Sequence, residues 1–180
     1  MSILDLFCSV DEFWQAFEPQ WRQQVLSRGG RRRWRRGRLH PSELMTTAIL
    51  FQQSGYRTFK AYYTRHVQLH LRSEFPQLVS YSRFVELLPR VLVPLIVYLH
   101  TQLGQCSGIS FIDSTALAVC KNARIGQHRV FTVDARRGKT SVGWFYGFKL
   151  HLVVNDRGEL LAFCLTPGNV DDRRPVSRLV

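Results

Sequence analysis

The sequence predicts an α+β chain in which a helical region, residues 1–105, precedes a strand-rich region, residues 106–180. Three observations carry this. Before residue 105 the apolar residues recur at steps of three and four, as on one face of a helix. From about residue 106 the period falls to two. Two alternating runs are then separated by Asn155-Asp-Arg-Gly158, a hairpin signal.

In the first region Val10, Phe13, Trp14, Phe17, Trp21 and Val25 define an amphipathic helix. Pro19 is expected to kink or break it, and Gly29-Gly30 to end it. Pro41-Ser42-Glu43 predicts the start of a second helix, with Pro suited to the first turn and Glu43 to the positive helix end. It should stop near Ser54-Gly55. A third helix is expected from about Thr58 to Leu71. A fourth should run from about Ser82 to Gln102, bent at Pro89 and Pro94.

In the second region the run Gly108 to Val119 reads as a strand that carries Asp113. Lys121 to Thr140 is polar and basic and reads as loops, with a short strand at Val130 to Val133. Trp144 to Val154 alternates, with Phe148, Leu150 and Leu152 on one face and Lys149 and His151 on the other. Glu159 to Thr166 is the returning strand. Pro167-Gly168 ends it, and Asn169 to Asp172 can cap a helix entered through Pro175. A sheet that begins near residue 108 would ordinarily extend past 180, so a truncated domain is expected.

Composition narrows the function. The chain has 180 residues, 25 Lys plus Arg against 13 Asp plus Glu, and a formal net charge of +12. Lys60, Lys121, Lys139 and Lys149 are its lysines, so arginine dominates. Guanidinium groups suit bidentate contact with phosphate, which points to nucleic acid ahead of an anionic membrane. The most apolar run, Phe84 to Leu99, is broken by Glu86, Pro89, Arg90 and Pro94 and is too short to span a bilayer. The N-terminus lacks the pattern of a signal peptide. Cys8, Cys106, Cys120 and Cys164 have no zinc or disulfide spacing, which fits a reducing cytoplasm.

Three constellations can carry chemistry. Arg28, Arg31, Arg32, Arg33, Arg35, Arg36 and Arg38 surround Trp34 in the linker 28–38. They are candidates for phosphate contact; the plainer reading is a solvated basic linker. Residues 41–54 and 56–71 can form a helix-turn-helix, with Thr58, Lys60, Tyr63, Arg65 and His66 towards DNA, or an ordinary helical hairpin. Asp113 falls at a strand position whose neighbours Ile109 and Phe111 mark as apolar. A buried carboxylate there is costly unless a divalent cation such as Mg²⁺ is bound, and the plainer reading is an Asp facing water. Asp156 and Glu159 suit turn duty. Asp171 and Asp172 suit helix capping and can also neighbour Asp113. His128 and His151 read first as structural or surface groups.

Several motifs, in order, resemble one family. Phe51 to Phe59, Ser73 to Phe84, Phe111-Ile-Asp-Ser-Thr115, Gly143 to His151, Asn155 to Gly158 and Leu165 to Pro175 resemble the DDE transposases of bacterial insertion sequences, closest to the insertion-sequence-nine-eight-two family. The resemblance implies a ribonuclease-H-like catalytic domain with a β-β-β-α start behind a helical DNA-binding region. It implies Mg²⁺-assisted DNA strand cleavage and transfer, with Asp113 as catalytic residue and metal ligand. The partners it implies are double-stranded DNA, as element terminal repeats and target, and a second copy of the chain. The family's second Asp and its Glu have no counterpart here, since no acid follows Asp172. The chain is therefore expected to be inactive alone. A non-catalytic DNA-binding regulator that competes with full-length transposase is the alternative. A structural RNA-binding protein is a third reading, which gives no reason for a strand-borne Asp113.

Overall fold

Apolar residues at helical spacing in the first half and at alternating spacing in the second divide the chain into two bodies. The computed structural model describes residues 2–27 and 37–179, and they form two units, Met1–Thr101 and Gln102–Val180. Helices and an antiparallel sheet occur together, as an α+β chain requires.

The first unit opens with α1 (Ile3–Ser27), which buries Leu6, Val10 and Trp14. Pro19 lies inside this helix and does not end it. The residue is exposed, so water can satisfy the carbonyl whose amide partner Pro removes. Phe13, Phe17 and Trp21 stack in sequence along α1, with ring centroids 5.2 and 5.6 Å apart. Gly29 and Gly30 lie outside the described residues. α2 (Pro41–Gln53) begins where Pro41 and Glu43 predict. Its cap is His40, whose ring accepts from the Ser42 amide while Glu43 reaches back to the His40 amide. Ser42 also donates to Asp11 at 2.5 Å, fastening this turn to α1.

α3 (Phe59–Tyr62) starts at the Thr58 cap, widens into a π turn over Tyr63–Val67, and ends as α4 (Gln68–His70). α5 (Tyr81–Leu87) is capped by Ser80, and a 3₁₀ turn over Leu88–Arg90 joins it to α6 (Leu92–Thr101). The chain turns by 62° there. Pro89 sits in the turn; Pro94 sits in the first turn of α6, where a missing N–H costs nothing, so the second expected bend is absent. Tyr62, Tyr63, Val67, Phe84 and Met45 close the core of this unit. Among the described residues no single helix is long and apolar enough to cross a membrane.

The second unit is a four-stranded antiparallel sheet: β1 (Ser110–Cys120), β2 (Arg136–Thr140), β3 (Gly143–Asn155) and β4 (Leu160–Pro167). β3 is central. β1 lies along one side of it, and β2 and β4 share the other, β2 at its start and β4 at its end. The strand expected at Val130 to Val133 is instead a turn, with Phe131 at φ 58°. The strand of that region is β2, six residues later, folded onto β3 as a tight hairpin. The hairpin at 155–158 forms as expected. The Asn155 side chain accepts from the amides of Arg157 and Glu159, and Gly158 takes φ 78°, which favours glycine. A short helix, α7 (Val176–Leu179), follows β4.

Alternation along β3 is regular, but the covered face is the polar one. Phe145, Lys149, His151, Val153 and Asn155 are buried, whereas Phe148, Leu150 and Leu152 are half-buried. The segment after β4 folds over the first face, bringing Val170 and Asp172 onto Lys149.

Candidate functional site

Cross-strand register fixes which side chains share a face. Asp113 pairs with Leu152, Phe111 with Val154 and Thr115 with Leu150. Directly paired residues point the same way and alternate ones point apart. Asp113 therefore shares its face with Phe111, Thr115, Leu150 and Leu152. Ser114, paired with His151, belongs to the opposite face with Lys149.

Asp113 sits in the fourth position of an eleven-residue strand and is exposed. Its carboxylate accepts the Ser114 amide at 2.7 Å. Phe111, at 59% exposure, also faces solvent, so the apolar surroundings expected for this carboxylate are open to water. The Asp113 carboxylate is thus accessible from solvent.

The other acids do not converge on it. Asp156 accepts from the Ser107 hydroxyl, and Glu159 accepts from the Asn155 amide nitrogen at 2.6 Å, both at the hairpin end. Asp171 accepts the Arg173 amide at 2.9 Å, a turn contact. Asp172 lies on the opposite face. The buried Lys149 ammonium donates to it at 2.9 Å and to the Val170 carbonyl at 3.0 Å. The Lys149 hydrogen bond foremost, with help from Ser114 and against a smaller desolvation, holds the Asp172 carboxyl below the usual carboxylate range. The expectation that Asp172 neighbours Asp113 is corrected by this register, and Asp171 is engaged in its own turn. Among the described residues no three His, Cys, Asp or Glu side chains come together as a metal site.

Lys149, Asp172, Ser114 and His151 form a polar group that sequence reasoning did not assemble. His151 is 1% exposed and its Nε2 lies 2.9 Å from the Thr166 hydroxyl. The alternation of Lys149 and His151 with apolar residues put them on one face, but nothing in a strand pattern says which face the following segment covers.

The expected nucleic-acid contacts divide. Arg38 is exposed and lines a cleft of about 330 Å³ with Pro76, Gln77 and Leu78. Arg31, Arg32, Arg33, Arg35 and Arg36 lie outside the described residues. Of the residues considered for a helix-turn-helix, Lys60 and Arg65 are exposed, but Tyr63 is fully buried and donates to the Val79 carbonyl at 2.7 Å. His66 is packed among Tyr56, Tyr62 and His70 rings. His128 lies edge-on to Tyr146, a packing role.

Comparison with known proteins adds one finding. Residues 103–180 match the family model described as the transposase DDE domain. The match takes in the whole sheet and supports a DDE transposase. Searches of the curated proteins and of the solved structures return no match.

Proposed function

We propose that the chain is a DNA transposase of an insertion sequence, with a helical DNA-binding region, residues 1–105, that contains the arginine-rich linker 28–38 and is followed by ribonuclease-H-like sheet residues 106–180. The observation that carries this reading is the DDE-domain match over residues 103–180, together with Asp113, an exposed carboxylate in the strand of that match. The insertion-sequence-nine-eight-two assignment rests on the resemblance of the motifs alone. DNA as partner is supported by the net charge of +12 and by the dominance of arginine. Arg31, Arg32, Arg33, Arg35, Arg36 and Arg38 would grip backbone phosphate, which positions the protein without reading sequence.

Asp113 is the catalytic carboxylate and would be one ligand of Mg²⁺. Two-ion phosphoryl transfer needs several convergent carboxylates. The described residues bring none to Asp113, so they do not fit a complete Mg²⁺ site. What this chain's own residues supply is a strand, β1, paired along the central β3 and holding one carboxylate, and a basic surface for DNA. We therefore expect no strand cleavage by the 180-residue chain on its own. Incubation of the purified chain with an element-end duplex and Mg²⁺ should give no nicked product above an Asp113→Asn control. Nicking that the Asp113→Asn change removes would contradict the expected inactivity.

The second reading, a DNA-binding regulator, is favoured by the same lack of convergent acids. It predicts that co-expression with a complete transposase lowers excision of a marked element, because the chain occupies the ends. An unchanged excision frequency would count against it. The localisation that fits either reading is the cytoplasm.

A further inference from the structure

The β2–β3 hairpin carries an unexplained cationic cluster. Lys139 pairs with Trp144 and Arg137 with Tyr146, so all four share one face. The Arg137 guanidinium lies 5.2 Å from the centroid of the Trp144 ring and the Lys139 ammonium 5.9 Å from it. Trp144 is 55% exposed. Neither cation has an ion-pair partner among the described residues. From Lys121 to Trp144 the sequence has six Lys or Arg and a single acid, Asp134. A shallow cleft of about 290 Å³ opens beside them at the sheet edge, against the turn from Gly168 to Asp171, whose one carboxylate, Asp171, leaves the lining cations in excess.

The face is also the face of Asp113. Trp144 is eight residues from Leu152, the partner of Asp113. At about 3.3 Å per strand residue this is about 26 Å, close to eight base pairs at about 3.4 Å each.

We propose that the β2–β3 hairpin is a second nucleic-acid contact, in which Arg137 and Lys139, held in place by Trp144, grip the backbone phosphates of the duplex that reaches Asp113. The proposal rests on the transposase reading. Two observations favour phosphate over base. The cations already lie over the Trp144 ring, so the ring serves to order them rather than to await a base. Unpaired cations ordered on an aromatic lose less freedom when a phosphate arrives.

The test is equilibrium binding of the whole chain to duplex DNA across salt. Each phosphate neutralised contributes about 0.9 to the log–log salt slope. Arg137→Gln with Lys139→Gln should lower the slope by about 1.8, equally on terminal-repeat and scrambled duplexes. Arg137→Lys with Lys139→Arg should keep the slope. Trp144→Ala should keep it too and weaken binding about threefold, because the charges stay but are no longer ordered. The positions are exposed, and unchanged thermal unfolding of each variant excludes a folding defect. An unchanged slope in the Gln double variant, with wild-type binding intact, overturns the hairpin contact and leaves the transposase reading standing. Failure of the wild-type chain to bind duplex DNA at any salt overturns both, as would a preference for RNA.

Discussion

Tyr62 and Tyr63 are neighbours in one core, both almost wholly buried, yet they should respond differently to loss of a hydroxyl. Tyr63 donates to the Val79 carbonyl, whereas the Tyr62 hydroxyl has no hydrogen-bond partner among the described residues. Tyr63→Phe should cost about 1 kcal/mol in urea unfolding, by leaving a carbonyl unsatisfied. Tyr62→Phe should be neutral or stabilising, because an unpaired buried hydroxyl is removed. Equal losses would sink this explanation. Burial pushes both phenols up to about 12 from 10.0. A raised folded value means stability that is complete below pH 10 and is lost as pH rises through 12. Helical circular dichroism should therefore fall between those values. Asp172 has the opposite sign. Its folded value is depressed below 3.8, so its contribution is complete above 3.8 and is lost as pH falls through the folded value. With the carboxylate side chain 56% exposed, the effect should stay below about 1 kcal/mol. Asp172→Asn should flatten the acid limb below pH 3.8; an unchanged acid limb would contradict the Lys149 tie.

Among the elements, β2 is tightly constrained at Gly138. A Cβ on Gly138 would meet the Gly168 carbonyl oxygen at 2.0 Å, a backbone atom that cannot swing aside. Gly138→Ala should cost about 2 kcal/mol or more and detach the hairpin. A melting temperature within a degree or so of wild type would show that the strand can shift instead. The same element marks where the sequence was hard to read. Val130 to Val133 has the β-branched residues of a strand but forms a turn, while Arg136 to Thr140 is polar and forms the strand. Pairing with Gly143–Gly147 decided this, and local propensity did not. Stereochemical signals are legible in the sequence: Pro41 and Glu43 open α2, and Asn155 to Gly158 turns the chain. Pro19 signals a kink or a break in sequence, and the solvent exposure that lets α1 continue through it is a property of the fold. His40 carries no capping signal in sequence, because Ser, Thr, Asp and Asn usually hold that place.

At the scale of the whole molecule, the fold class followed from the change of hydrophobic period near residue 106, since a period is a property of many residues and survives local exceptions. The site was less legible. Asp113 could be picked out as a carboxylate in an apolar strand, but its exposure depends on what covers each face. The strand pattern of β3 suggested an apolar interior, and the segment after β4 instead covers Lys149 and His151. The proposed association with DNA belongs to this scale as well, because it would sum charges over the linker 28–38 and the hairpin rather than rest on one pocket.

The most direct measurement is equilibrium binding of the 180-residue chain to an element-end duplex and to a scrambled duplex of equal length, over a range of salt. The transposase account predicts tighter binding to the element end, with an affinity that falls steeply as salt rises. Absence of duplex binding, or binding indifferent to salt, would contradict it.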